Sequence, residues 1–258
     1  MSDLRVTLLG SGTCHPSLNR SSPALLVETG GKTLLIDSGP GTLRRLLEAG
    51  KTIDDVTHLA YSHFHPDHTG ELVPFLFSTR YAPGRLRQYP LNLIGGTGIE
   101  AFYEKLKGAY GHWIELPDGL FTITEMDASR EESRIIDGIS ITTGPVSHNP
   151  ESVAFRVTGP MGRCVVYSGD TAYSQTLVDL AAGADLFICE CSFPDDEKPW
   201  GHLTPSLAGR IADEAGVGRL VLTHFYPACE KADLISPCKK YFSGPLTLAR
   251  DLMVFEIH

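Results

Sequence analysis

The 258-residue, 28.1 kDa chain is 42% hydrophobic and 21% charged, enough apolar matter for one large domain or two small ones. Its net charge of −9 and pI near 5.5 exclude broad, nonspecific binding to nucleic acid, which depends on Lys and Arg neutralising phosphates. No apolar run approaches the roughly 20 residues that span a bilayer, and the opening Met-Ser-Asp-Leu-Arg-Val lacks the layout of a secretion signal. No membrane association and cytoplasmic residence are therefore expected.

Strands are expected at Val6–Leu9, Leu25–Glu28 and Thr33–Ile36, with Gly30-Gly31 as a hairpin turn between the last two. A helix fits Thr42–Ala49, then a strand Leu59–Tyr61 and a helix Gly70–Ser78. Arg80, Arg85 and Arg87 follow as a local basic strip, a candidate substrate contact or a solvated loop. The strand Leu91–Ile94 leads through Gly95-Gly-Thr-Gly98 into a helix ending at Lys107. With no Lys-Ser/Thr tail this glycine run is a strand-to-helix turn and not a phosphate loop. Strands at Phe121–Met126, Ile139–Thr143, Val153–Val157 and Cys164–Ser168 come next. The helix Ser174–Ala182, strand Leu186–Cys189, helix Pro205–Ala215 and strands Leu220–Leu222 and Met253–Ile257 complete the alternation. Thr204 before Pro205 reads as a helix start.

His63-Phe-His-Pro-Asp-His68 carries the most information: three imidazoles and a carboxylate in six residues, directly after an expected strand. Imidazole and carboxylate together suit borderline metals such as zinc. Further candidates repeat that placement. Asp37, His148, Asp170, Glu190 and His224 each follow an expected strand, as the cluster itself does. Ligands collect where the carboxyl ends of strands and their loops converge. The remaining histidines, His15, His58, His112 and His258, have no ligand role in this reading. The six cysteines form no CxxC pair and are expected to be reduced and mostly buried. Cys189, Cys191 and Cys229 carry only a faint metal or redox signal.

In order and spacing, His63-x-His65-x-Asp67-His68, His148, Asp170 and His224 resemble the motif set of the metallo-β-lactamase-fold hydrolases. Leu34–Gly39, Tyr167–Thr171 and Val221–Phe225 look like that family's flanking segments, so the resemblance spans nearly the whole chain. Within the family the chain is similar to the ribonuclease Z-like branch, through Leu9–Thr13, Asn19–Ser22, Glu190-Cys-Ser-Phe193 and Gly201-His-Leu-Thr204. It departs from the branch's tRNA-processing members in two ways. Pro66 stands where they commonly have Gly, and only about 20 residues separate His148 from Asp170, where many of them carry a long tRNA-gripping arm.

The resemblance implies a single domain over 1–258 with a four-layer αββα sandwich, of mixed α+β and α/β character. It implies two divalent metals, zinc first and manganese second. His63, His65 and His148 would hold one, Asp67, His68 and His224 the other, with Asp170 bridging. A metal-bridged hydroxide would attack phosphorus, with Asp67 orienting it. His202 would protonate the leaving oxygen, Glu190 would hold that imidazole, and Asp37 would accept a hydrogen bond from a ligand imidazole. The expected activity is hydrolysis of a small or cyclic phosphodiester. The alternatives are tRNA 3′-end processing, which the acidic charge and missing arm disfavour, and thioester, lactone or sulfate-ester hydrolysis on the same metals. A homodimer is the assembly the resemblance suggests.

Overall fold

In the strand β2 (Ala24–Thr29), Leu25 and Val27 belong to one apolar cluster and Ala24 and Leu26 to another. β3 (Lys32–Ile36) divides in the same way, Leu34 and Ile36 against Leu35, and β4 (His58–Tyr61) sends Ala60 one way and Leu59 and Tyr61 the other. A strand apolar on both faces must be covered on both sides, and this period-two pattern stacks the molecule in layers. A computed structural model describes residues 2–81, 87–197 and 200–258.

Two seven-stranded sheets result. The first runs in the order β14 (Val254–Ile257), β1 (Leu4–Gly10), β2, β3, β4, β5 (Leu91–Gly96), β6 (Phe121–Met126). The second runs β13 (Leu246–Leu248), β12 (Leu220–Thr223), β11 (Leu186–Glu190), β10 (Cys164–Tyr167), β9 (Val153–Thr158), β8 (Ile139–Pro145), β7 (Glu132–Ile136). Both follow one plan, with antiparallel pairing through β1–β2–β3 and β7–β8–β9–β10, then parallel pairing through β3–β6 and β10–β13. Leu25, Ile36, Ala60 and Ile94 of the first sheet share a core with Phe155, Val166 and Ile188 of the second. On the outside, α1 (Thr42–Glu48), α3 (Leu72–Tyr81) and α4 (Ile99–Tyr110) cover the first sheet through Leu46, Phe75, Leu76, Ile99 and Tyr103. The helices α5 (Gln175–Ala181) and α6 (Pro205–Glu214) cover the second through Leu177, Leu180, Ala208 and Ile211. This is the αββα sandwich expected from the motifs. No helix among the described residues is long and apolar enough to cross a membrane.

The differences from expectation have physical causes. β7 and β13 are edge strands with half-exposed or polar residues, so neither shows an apolar signature. The helix expected at Gly70–Ser78 is α3, while the short helices α2 (Pro66–Thr69) and α7 (Ile235–Lys239) were not anticipated. Both Gly30 and Gly31 have positive φ, as a tight turn between β2 and β3 requires. The glycine run at 95–98 is the turn from β5 into α4, with Gly98 at φ 99°. Two members of the expected basic strip are tied to the main chain. Arg87 is buried, and its guanidinium donates to the carbonyls of Ile53, Val56, Tyr89 and Pro90. Arg80 donates to the Glu115 carbonyl, and Arg85 lies outside the described residues.

His58 joins the two sheets at the end of β4 away from the site. Thr57 Oγ1 spends its proton on the Thr33 carbonyl, so the 2.7 Å contact with His58 is donated by Nδ1–H. Nε2 then faces Asp137 Oδ2 at 3.3 Å, on the turn between β7 and β8. Burial lowers the His58 pKa, against the opposing pull of Asp137. A histidine depressed in the folded state stabilises fully above its unfolded pKa, and that contribution is lost as the pH falls through and below about 6.5. Urea unfolding with chelator present is expected to show the wild type losing more stability than His58→Gln between neutral and mildly acid pH; parallel losses would show that His58 carries no such linkage.

Candidate metal centre

The parallel strands of both sheets end along one rim. Asp37 follows β3, the His63–His68 segment follows β4, His148 follows β8, Asp170 follows β10, Glu190 closes β11 and His224 follows β12. Two of the four non-glycine residues with positive φ among those described are Asp37 (60°) and His224 (61°), types that tolerate the left-handed region better than most. Crowding is relieved by glycine. A Cβ at Gly39 would fall 1.8 Å from the Asp67 carbonyl, so only glycine lets the β3 loop approach the histidine segment.

All seven expected ligands meet. Ligand atoms of His63, His65, His148 and Asp170 lie within 4.8 Å of one another, as do those of Asp67, His68 and His224. Asp170 stands between the groups. Its Oδ2 is 3.8 Å from His63 Nε2, and its Oδ1 is 3.2 Å from both His68 Nε2 and His224 Nε2. Asp67 Oδ2 is 3.9 Å from His68 Nε2 and 3.8 Å from His224 Nε2. His202 also falls within 4.8 Å of Asp170 and His224.

Four of the five imidazoles are anchored, through the nitrogen that faces away from this centre, on a group that can accept its proton. His68 Nδ1 meets Asp37 Oδ2 at 2.8 Å, and His63 Nδ1 meets Ser62 Oγ at 3.1 Å. His148 Nδ1 donates to the Gly201 carbonyl at 3.1 Å and His224 Nδ1 lies 2.9 Å from Ser192 Oγ, whereas Asn149 Nδ2 donates to His65 Nε2 at 3.2 Å and His65 Nδ1 lies 3.4 Å from His148 Nε2. Such partners fix tautomer and ring orientation. The inward atoms are left over. Among the described residues, His63 Nε2, His68 Nε2, His224 Nε2 and Asp170 Oδ1 are buried without a hydrogen-bond partner. Buried polar atoms are normally paired. Four orphans converging from three directions, all nitrogen and oxygen, fit divalent cations.

The charges of His63, His148 and Asp170 agree with that donor set. Burial pushes the His63 imidazole well below its usual range, helped by His68, and burial also lowers His148. Asp170 is held well below the carboxylate range because His224 and His68 outweigh its burial. His68, between Asp170 and Asp37, is raised despite its burial. Asp37 occupies the place expected of it. It accepts from Ser62 N, Ser62 Oγ and Tyr167 Oη as well as facing His68.

His202 Nδ1 lies 3.0 Å from Glu190 Oε1, and its ring stacks over that of His224 at 5.7 Å. Burial opposes its charge, but the Glu190 contact prevails and its pKa is raised. His65 is exposed, and His148 and His202 half-buried, so the centre opens to solvent on their side. Ser62, Ser192, Asn149 and Tyr167 were not singled out from sequence, although three of them sit within or beside the quoted motifs. The cysteine signal is not borne out. All six cysteines are free, and no metal-capable group among the described residues contains one. Cys229 donates to the Ser192 carbonyl, and burial pushes its thiol up to about 12.

Comparison with known proteins decides the family. The Beta-lactamase superfamily domain matches residues 32–225. The chain belongs to the metallo-β-lactamase superfamily. Ribonuclease Z of Mycobacterium bovis is 30% identical over 280 residues, covering 99% of each chain. Rv1339 of Mycobacterium tuberculosis is 33% identical over 246 residues, 94% of this chain and 88% of that one. The metallo-β-lactamase fold protein YhfI from Bacillus subtilis superposes with a TM-score of 0.83 at 26% identity, over 98% of this chain and 99% of that one. The chain is thus a ribonuclease Z-like metallo-hydrolase, and proteins of its superfamily bind divalent metals.

Asp37→Asn keeps a residue tolerant of left-handed backbone while removing the charge behind His68. It is expected to weaken Zn2+ binding about 10- to 100-fold, measured by competition with a chromophoric chelator. Unchanged affinity would show that Asp37 serves only the fold.

Proposed function

We propose that this chain is a dinuclear metal-dependent phosphodiesterase acting on small or cyclic phosphodiesters. The observation that carries the reading is the Glu190–His202 pair, set 3.0 Å apart beside the Asp170–His224 edge of the centre. A thiolate leaves without help, whereas an alkoxide needs a proton, and a raised imidazole pKa keeps one available. His63, His65, His148 and Asp170 would hold one cation, and Asp67, His68, His224 and Asp170 the other. Zinc is the first choice and manganese the second, since nitrogen and carboxylate donors accept either. When bound, the two cations supply Lewis acidity that acidifies water and offsets phosphoryl charge.

The chain's own groups do the rest. Asp67, half-buried beside His68 and His224, accepts a hydrogen bond from the attacking water and orients it toward phosphorus. His202 presents Nε2 to the leaving oxygen on the other side, because Nδ1 is engaged by Glu190. Exposure of His65 and the partial exposure of His148 give a substrate access. Size discrimination supports a small substrate. From His148 to Asp170 the chain contains only β9, β10 and their turn, where many ribonuclease Z enzymes carry their arm. A second reading, tRNA 3′-end processing, is favoured by the 30% identity to ribonuclease Z.

Incubating the Zn2+-loaded protein side by side with bis(p-nitrophenyl) phosphate, 2′,3′-cAMP and a precursor tRNA separates the two. Turnover of the first two without defined cleavage of the third is expected. Cleavage of the precursor at one position, weakening steeply with salt, would establish the second reading instead. His202→Ala is expected to slow 2′,3′-cAMP hydrolysis about 10²- to 10⁴-fold and to spare the p-nitrophenyl ester, whose leaving group needs no proton. Equal losses on both would remove His202 from proton donation.

A further inference from the structure

Ser192, two residues beyond Glu190, is fully buried, and its hydroxyl touches three groups of the site. Glu190 Oε2 is 2.6 Å away, His224 Nδ1 2.9 Å and His202 Nδ1 3.3 Å. Counting protons assigns the directions. A serine hydroxyl has one proton and two lone pairs, while a carboxylate only accepts. The short contact to Glu190 therefore uses the Ser192 proton. His202 gives its Nδ1 proton to Glu190 Oε1. His224 Nδ1 must then donate to Ser192, which leaves Nε2 as a bare lone pair. That Nε2 is buried, without a hydrogen-bond partner, and points at Asp170 and Asp67.

Glu190 is saturated by this arrangement. Thr171 N and His202 occupy Oε1, while Ser192 Oγ and Leu203 N occupy Oε2. The first sheet repeats the wiring. Ser62 Oγ donates to Asp37 Oδ2, so His63 Nδ1 donates to Ser62, while His68 meets Asp37 directly. In each half one carboxylate holds one imidazole directly and a second through a serine.

We infer that Ser192 is a positioning residue that fixes His224 as an Nε2 donor to a divalent cation and ties it to the carboxylate holding His202. The inference rests on the metal-centre reading above and assigns Ser192 no contact with substrate. Without the hydroxyl, His224 Nδ1 loses the one acceptor it has among the described residues, and with it the contact that selects the tautomer with Nε2 free. The ligand side and the proton-donor side of the centre share one anchor.

The test titrates Zn2+ into chelator-treated wild type, Ser192→Ala, Ser192→Thr, Glu190→Gln and the Ser192→Ala/Glu190→Gln double variant, in competition with a chromophoric chelator. Urea unfolding of each metal-free chain is followed alongside. Ser192→Ala is expected to weaken one of the two bound ions about 10- to 100-fold and to leave the other unchanged. Ser192→Thr, which keeps the hydroxyl, restores it. Glu190→Gln alone reproduces the loss, and the double variant adds nothing to it, as members of one chain of hydrogen bonds are not additive. Wild-type affinity for both ions in Ser192→Ala, equal weakening of both ions, or full additivity in the double variant would overturn the inference. If Ser192→Ala does not fold, a Glu190→Gln chain that binds both ions as the wild type does overturns it equally. Phosphodiester turnover is recorded on the same samples. A wild type that binds two ions but hydrolyses nothing defeats the proposed function and leaves the Ser192 assignment standing, whereas a wild type that takes up no Zn2+ defeats both.

Discussion

Everything at the rim depends on which nitrogen of each imidazole is tied down. Four histidines present one ring nitrogen to the interior of the centre because the other is held by Asp37, Ser62, the Gly201 carbonyl or Ser192. Free imidazoles in a crowded pocket would pair with one another or turn to water. His65 Nδ1 and His148 Nε2 do approach each other, at 3.4 Å, but the anchored His63, His68 and His224 each keep an Nε2, and Asp170 an Oδ1, with no hydrogen-bond partner among the described residues. Such an arrangement costs the protein stability unless a cation satisfies it. Binding and folding are in that sense one problem.

The sandwich solves the problem by separating support from display. The strands carry apolar residues on both faces and are clamped between helices and the opposite sheet, so their carboxyl ends are rigid. Backbone conformations that the interior of a strand could not accept are pushed to the rim, at Asp37 and His224. Rigid strands deliver the loops, and the loops deliver the side chains. The repeated strand plan places a carboxylate hub in each half, Asp37 behind one sheet edge and Glu190 behind the other. The hubs differ in duty, since Asp37 steadies two imidazoles of the cluster and Glu190 divides itself between His224 and His202.

Much of this could be read along the chain, because the informative residues are rare types in improbable company. Three histidines and an aspartate within six residues leave little room for a packing explanation, and each further candidate fell just past an alternating apolar run. The two serines were a different matter. Serine is common, and nothing in Glu190-Cys-Ser-Phe193 says that the Ser192 hydroxyl, and not the Cys191 thiol, turns toward the site; only the pleat of the extended backbone decides that. Arg87 misled in the opposite direction, since a charge in sequence carries no sign of burial and its guanidinium answers four main-chain carbonyls. β7 and β13 were silent because edge strands pack on few neighbours and need no apolar signature.

The distribution of donors between the two sheets has a consequence for synthesis. As the chain leaves the ribosome, the first sheet arrives with His63, His65, Asp67 and His68, but Asp170 lies a hundred residues behind and His224 further still. β1 also waits for β14, its hydrogen-bonded neighbour, which lies about 240 residues further along the chain. A fragment that ends before Asp170 therefore carries only part of the donor set, and a chain cut short of its second half would lack Asp170 and His224 along with the whole second sheet.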